Sequence, residues 1–218
     1  MKKKYSIPTL LAGLMALCYS SCNEKRIDLQ PLSPTEASFF TEEADFTKAA
    51  LGVYAKINDY YWFNNNNPIH AFWQLPGDDI TTSGTVPFEL FGTIQAATGE
   101  IGGFYRTTYQ LINRANTLLQ KLDEEKGAIK TPNLKNTLRG EALFLRGYGN
   151  FLLWNYFGTS PLMTERIQTS DKITPPSSKD TELIDQAVKD LTEAAGLLPT
   201  SWDNNNRGRV TQSSANGL

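Results

Sequence analysis

The sequence predicts an all-α protein, a helical scaffold that carries long irregular loops. Three observations point there. Apolar residues recur at alternating spacings of three and four in four separate segments, strand-like alternation is scarce, and the connections between segments are long and rich in Asn, Pro, Ser and Thr. A helix with one apolar stripe must bury it, and four such stripes without strands bury one another.

The first residues read as an export signal rather than as part of the fold. Lys2, Lys3 and Lys4 form a positive start, Ile7 to Leu17 a short apolar run interrupted by Pro8, Thr9 and Gly13, and Ser20 and Ser21 a small-residue stretch before Cys22. The run is shorter than the ~20 apolar residues a permanent span needs. A thiol directly after a small-residue cleavage site suits lipid attachment, so residues 1–21 are expected to be a lipoprotein signal peptide and Cys22 the lipidated residue. Tyr19 stands where such signals usually carry Leu, Val or Ile, and Cys18 follows the bulky Leu17; the alternative is an ordinary secreted protein cut near Ser21. Residues 22–34 then read as a polar tether.

Removing Lys2, Lys3 and Lys4 from 21 basic residues leaves 18 against 23 acidic ones, a net charge near −5. That balance argues against nucleic acid and against a polybasic membrane-surface mode. One cysteine remains, which rules out an internal disulfide or a thiolate metal cluster. His70 is the only histidine, without a second imidazole or thiol at ligand spacing, so no transition-metal site and no cofactor is expected. Gly99, Gly102 and Gly103 lack the strand and lysine of a phosphate-cradling loop and are expected to loosen a helix entry.

Residues 35–218 form the helical domain. The first helix carries Phe46, Ala50, Val53, Ile57 and Tyr60, with Thr41 as its expected N-cap and Glu42, Glu43 and Asp45 near its positive end. The second carries Phe104, Thr108, Leu111, Ala115, Leu118 and Leu122 and stops before Gly127. The third is the strongest: Leu138, Ala142, Leu145, Gly149, Leu152 and Tyr156, ending at Gly158, which can take positive φ, before Pro161 turns the chain away. The fourth carries Ile184, Val188, Leu191, Ala195 and Leu198, is capped around Ser177 and Asp180, and ends at Pro199. The third and fourth could form one helix–turn–helix unit. Thr211 begins a last helix through Gln212, Ala215 and Leu218, whose face has no visible partner; the domain therefore reads as the N-terminal portion of a longer protein.

About forty residues, Tyr61 to Glu100, separate the first two helices. They hold four consecutive Asn (64–67), breaks at Pro68, Pro76, Gly77 and Gly84, and a cluster of aromatic residues. A connection that long is usually functional or locally structured. A second long connection runs from Thr159 to Ser178, and a third, shorter and polar, from Pro199 to Arg209.

Taken together, the run Arg139-Gly-Glu-Ala-Leu-Phe-Leu-Arg146, the run Trp154-Asn-Tyr-Phe-Gly-Thr-Ser-Pro-Leu162, the early Ser38-Phe-Phe-Thr-Glu-Glu43, the acidic pair Asp78-Asp79, the Gly208-Arg-Val-Thr211 turn and the lipidation-type Cys22 occur in an order that resembles the SusD/RagB family of outer-membrane nutrient-binding lipoproteins. The resemblance covers almost the whole segment after the signal. It implies tetratricopeptide-like helix pairs as the scaffold, with loops that bind oligosaccharides, or peptides in some members. It also implies a place on the cell exterior, lipid-anchored to the outer membrane, above a TonB-dependent outer-membrane transporter of the SusC type, and a role other than catalysis.

Sugar rings stack their C–H faces on aromatic rings while their hydroxyls seek amides and carboxylates. The long connection supplies both: Tyr60, Tyr61, Trp62, Phe63, Phe72 and Trp73 with Asn64, Asn65, Asn66, Asn67 and Gln74. Trp62 and Trp73 lead the ligand-binding candidates, followed by Tyr61, Phe72, Asn65, Asn66 and Asp78; the competing expectation is that several rings plug the loop onto the body. Asp78 and Asp79 could suggest a glycoside hydrolase, but neighbours in an extended segment point to opposite faces, whereas hydrolysis needs two carboxyls flanking one bond; turn formation suits them better. Arg139, Glu141 and Arg146 have no nucleophile or metal site beside them and are expected to hold helices together. Trp202 with Asn204, Asn205 and Asn206 is either a second contact or a solvated loop. The expected function is capture of an oligosaccharide for the transporter, with peptide capture by the same fold, a surface hydrolase and an adhesive lipoprotein as alternatives.

Overall fold

The computed structural model describes residues 35–60, 70–77, 79–81, 87–92, 94–168 and 175–218. Cys22 and the expected signal and tether lie outside them. The chain divides into two compact units, 1–39 and 40–218. Of the first, residues 35–39 are described: helix α1 (Glu36–Phe39) is one turn, with the Ser38 hydroxyl accepting the Thr35 N–H at 3.0 Å.

The second unit holds α2 (Glu43–Asn58), a π-helical turn (His70–Gln74), α3 (Pro87–Leu90), α4 (Gly99–Glu124), α5 (Leu134–Phe157), α6 (Glu182–Leu197), a 3₁₀ turn (Asn204–Asn206) and α7 (Gln212–Gly217). The fold is all-α; no strand occurs among the described residues. α5 lies at the centre, packed on α4 and α2 and paired along α6, while α7 closes against α6. The α5–α6 pairing agrees with tetratricopeptide-like helix pairs. No helix among the described residues is long and apolar enough to cross a membrane.

The core follows the apolar stripes. Phe46, Ala50 and Val53 of α2 meet Leu111, Ala115, Leu118 and Leu122 of α4 and Leu138, Ala142 and Leu145 of α5, all closed to water. Each fully buried Leu, Ile or Phe contributes about 1.5–3 kcal/mol, whereas isolated helices of this length are marginal, so packing rather than propensity holds these rods. The α5 backbone passes close to α4 at Gly149, where an added Cβ would lie 2.8 Å from Ile112 Cγ1. Gly158 ends α5 with φ +67°, in the left-handed region that glycine adopts without a side-chain clash.

Three local expectations are corrected. The N-cap of α2 is Glu42 rather than Thr41, because the Asp45 carboxylate folds back to accept the Glu42 N–H at 3.1 Å and the Thr41 N–H at 3.3 Å. α6 is capped at Thr181 rather than around Ser177; the Glu182 carboxylate takes the Lys179 N–H at 2.8 Å and fixes the entry there. Gly99, Gly102 and Gly103 lie at the entry of α4, in its first turns. The core face of α6 is Leu183, Ala187, Asp190, Leu191 and Ala194; of the expected stripe Leu191 and Leu198 are buried, whereas Ile184 and Ala195 are half-buried and Val188 is 56% exposed. The choice of face has a cause: Asp190 must face α5 to meet a buried arginine.

That arginine is Arg146. Its Nε and Nη2 donate to the two oxygens of Asp190, each at 2.7 Å, and its Nη1 donates to Asn116 Oδ1 at 2.9 Å and to the Thr164 carbonyl at 3.1 Å. Arg146 is 9% exposed and Asp190 1%. Glu141, fully buried, accepts Arg209 through both carboxylate oxygens and the Tyr54 hydroxyl at 2.8 Å. Arg139 reaches Asp123 of α4 and Glu193 of α6. Arg139, Glu141 and Arg146 of the strongest helix thus join elements of the body, as expected.

Breaking a buried pair on one side leaves the other charge unpaired at a cost of about 3–5 kcal/mol, whereas replacing both partners by apolar groups is often near neutral. Arg146→Met is therefore expected to lower the unfolding free energy by about that amount in urea titration, and Arg146→Met with Asp190→Leu to recover most of it. Gly149→Ala is expected to cost about 1–3 kcal/mol in the same measurement, through overpacking against Ile112.

Candidate ligand-binding site

The first part of the long connection is held to the body by rings. Tyr60 closes the end of α2, and its hydroxyl lies 2.8 Å from Thr108 Oγ1. The Thr108 proton is already given to the Phe104 carbonyl at 2.8 Å, so the tyrosine donates. Phe104, fully buried on α4, is the hub: ring centroids of Phe72, Tyr156, Tyr60, Phe157 and Trp73 lie 4.7, 5.1, 5.2, 6.1 and 6.3 Å from it. Phe72 also meets Phe88 of α3 at 5.5 Å and stands edge-on to Tyr156. Offset and edge-to-face pairs of this kind add about 0.5–1.5 kcal/mol each beyond burial.

Trp73 sits at the rim of this cluster. It stands edge-on to Phe104 at 88°, its indole N–H donates to the Tyr156 hydroxyl, and 37% of it remains open to solvent. Beside it, Gln74 Oε1 is buried and accepts no hydrogen bond among the described residues. The arrangement is a rigid indole, gripped along one edge and by its N–H, with part of the ring free to meet a ligand.

Of the sequence candidates, Trp73 and Phe72 fall in this cluster, and Phe72 is half-buried. Trp62, Tyr61, Asn65, Asn66 and Asp78 lie outside the described residues, as do Phe63, Asn64, Asn67 and the side chain of His70. Asp79 is exposed just after Gly77. No group of His, Cys, Asp and Glu among the described residues could hold a metal ion. Trp202 is a packing residue: its indole N–H donates to the Val210 carbonyl at 2.8 Å, and the Arg209 guanidinium lies 4.2 Å over its ring. The sequence reading placed Phe104 and Tyr156 on helix stripes without assigning them to the Trp73 setting. Their signal was aromatic bulk at the adjoining ends of two neighbouring stripes.

Concavities lie elsewhere on the body. A cleft of about 890 Å³ between α4 and α6 has a charged lining, paired through Arg146–Asp190 and Arg139 with Asp123 and Glu193, and contains no ring. A groove of about 420 Å³ beside Tyr105 and Tyr109 is mostly apolar, closed at one end where the Tyr109 hydroxyl donates to the Pro161 carbonyl at 2.7 Å.

Burial pushes the phenols of Tyr60 and Tyr109 above the ordinary value near 10, and Tyr54 likewise through burial and the Glu141 charge. The neutral form is thereby favoured in the folded chain. Above pH 10 the unfolded chain loses protons that the folded chain keeps, so stability falls as pH rises from there. Spectrophotometric titration is expected to show these three phenols ionising only together with loss of helical circular dichroism, after the exposed tyrosines.

The family model for SusD-like proteins, described as starch-binding associating with outer membrane, matches residues 73–218. Nothing among curated proteins matches the chain. Similar solved structures include a laminarin-binding SusD-like protein, at 26% identity and TM-score 0.70, covering 80% of this chain and 38% of that one. A SusD homolog from Bacteroides thetaiotaomicron VPI-5482 follows at 24% identity and TM-score 0.67, covering 85% and 37%. Surface glycan-binding protein A from Bacteroides uniformis stands at 21% and 0.66, covering 79% and 39%. The chain thus spans less than two fifths of the length of each of these proteins.

Proposed function

Because this chain belongs to the SusD-like family of starch-binding proteins associating with the outer membrane, we propose that it captures an oligosaccharide at the cell surface and delivers it to a TonB-dependent outer-membrane transporter of the SusC type. The observation that carries the reading is Trp73, a partly open indole locked by Phe104 and Tyr156 on a helical body. A pyranose presents C–H groups on its face, and these pack on a ring that needs no reordering when the sugar arrives. A platform fixed before binding loses little side-chain entropy, which leaves more of the contact energy as affinity. Trp62 and Tyr61, with Asn65, Asn66 and Asp78, would supply a further ring surface and the hydrogen bonds that orient hydroxyls; Phe72 packs on Phe104 and Tyr156, the two residues that hold Trp73. The role is binding rather than bond cleavage. The Lys2–Ser21 export pattern supports anchoring through lipid on Cys22, with the body held outside the membrane by the 22–34 tether.

The test is calorimetric titration of the full-length protein with laminarin and with soluble starch. Binding to at least one is expected. Trp73→Ala and Trp62→Ala are each expected to raise Kd about three- to tenfold while leaving the circular dichroism spectrum and the melting temperature close to wild type. Failure to bind either glucan, or an unchanged isotherm for Trp73→Ala, would refute the reading. Co-purification of a large outer-membrane barrel with the wild-type protein, but not with a Cys22→Ser form left outside the envelope fraction, would establish the transporter and the anchor.

A further inference from the structure

On α5, Arg146, Asn150 and Leu153 follow one another at spacings of four and three and so share one face of the helix. That face looks into the seam between α4 and α6: Arg146 meets Asn116 and Asp190, and Leu153 clusters with Ile112 and Leu183. Asn150 stands between the two at 0% exposure. Neither its amide nitrogen nor its amide oxygen has a hydrogen-bond partner among the described residues. A primary amide carries two donors and an oxygen with two lone pairs. Leaving such a group bare in an interior is costly, and buried polar groups are met almost without exception by protein or by ordered water.

The segment that crosses this seam shows what the amide faces. From Pro161 to Glu165 the carbonyls are taken in alternation. Those of Pro161, Met163 and Glu165 go to α4, accepting from the Tyr109 hydroxyl at 2.7 Å and from the Asn116 amide at 3.0 Å each. That of Thr164 accepts from Arg146 of α5 at 3.1 Å. The Leu162 carbonyl, on the same side of the segment as that of Thr164, accepts no hydrogen bond among the described residues. The segment follows the end of α5 at Phe157 and is level with Arg146 at Thr164, so it runs back along the helix. Two residues of extended chain cover ~6.6 Å, and one turn of helix, from Arg146 to Asn150, covers ~6 Å. Asn150 is therefore level with the Leu162 carbonyl. Its side chain is shorter than that of arginine by about the width of a water molecule, and it stops short of a carbonyl set as far away as the one Arg146 reaches.

We infer that the seam holds a structural water-binding site, in which one water molecule bridges the Asn150 amide to the Leu162 carbonyl. The amide nitrogen donates to the water and the water donates to the carbonyl, so a donor and an acceptor that lack protein partners satisfy each other through it. The site extends the Arg146–Asn116 network by one helical turn and fastens the connection after Pro161 to α5 as well as to α4. It stands independently of the glycan-binding reading.

A crystal structure of the full-length protein, at a resolution that shows ordered water, tests the site directly. Water density within about 2.7–3.2 Å of both the Asn150 amide and the Leu162 oxygen is expected. No density there, or a polar protein group on the amide in its place, overturns the inference. Asn150→Leu tests it through stability. Leucine keeps the branched shape of asparagine without its polar atoms, so the water loses its anchor and the Leu162 carbonyl its partner. The melting temperature is then expected to fall by about 2–4 °C. A bare amide predicts the opposite sign, because removing an unmet polar group relieves the cost of burying it. A melting temperature at or above wild type for Asn150→Leu therefore overturns the inference as well.

Discussion

Arg146 carries a positive charge into the middle of a helical bundle, and the arrangement around it follows from the need to satisfy that charge. An unpaired guanidinium there would be strongly unfavourable, so every donor has to find an acceptor. Asp190 accepts two of them in the parallel geometry that suits a planar fork, and Asn116 and the Thr164 carbonyl take the third nitrogen. One side chain on α5 thereby sets the rotation of α6, ties in α4 and pins the segment after Pro161 across the helices. Asn116 extends the same network by donating to the Met163 and Glu165 carbonyls, both at 3.0 Å, so an irregular stretch without secondary structure is still satisfied along its backbone. Glu141 does the equivalent at the other end. Its carboxylate is closed to water, and Arg209 and Tyr54 bring the turn before α7 and the side of α2 to it; the Tyr54 hydroxyl in turn accepts the Val210 N–H at 3.1 Å.

These networks contribute more to specificity than to net stability. Apolar packing of α2, α4 and α5 could form in several rotations, since Leu, Ala and Val stripes are tolerant of small shifts. A bidentate pair is not tolerant, and a helix turned by one residue would leave a charge without its partner. The binding surface proposed for this chain depends on that precision indirectly. Phe104 on α4 and Tyr156 on α5 must meet for Trp73 to be gripped, and both positions are set by how those two helices are rotated and how closely they approach at Gly149.

The aromatic cluster shows how rings anchor the described stretches of a long connection, among them a π-helical turn and the one-turn helix α3. Tyr60, Phe72, Trp73 and Phe88 come from three different stretches of chain, and each places a ring against the Phe104 hub or against a ring that touches it. The contacts that hold these stretches are burial and ring packing rather than backbone ladders.

Much was legible from the residues alone. The four long helices follow from the spacing of apolar residues, because the 3.6-residue repeat of a helix is written into the chain locally. The end of α5 at Gly158 and the cap at Thr211 are local too: one needs a residue that accepts positive φ, the other a hydroxyl that accepts an N–H three residues on. The roles of Arg139, Glu141 and Arg146 as links between helices could be read from charged residues on an otherwise apolar helix. Their partners could not. Asp190 and Arg209 are separated from Arg146 and Glu141 by 44 and 68 positions, and nothing in the spacing says which carboxylate meets which guanidinium. For the same reason the inward face of α6 is only partly legible: Leu191 faces the core as the spacing predicts, whereas Ile184, Val188 and Ala195 give way to Leu183, Ala187 and Ala194 on the face that also carries the buried Asp190. The sequence by itself determined which segments are helices and which residue types face inward, because those depend on neighbours a few positions away; the folded structure alone decided which helix rotation, which ion pairs and which rings came together, because those depend on contacts between residues far apart in the chain.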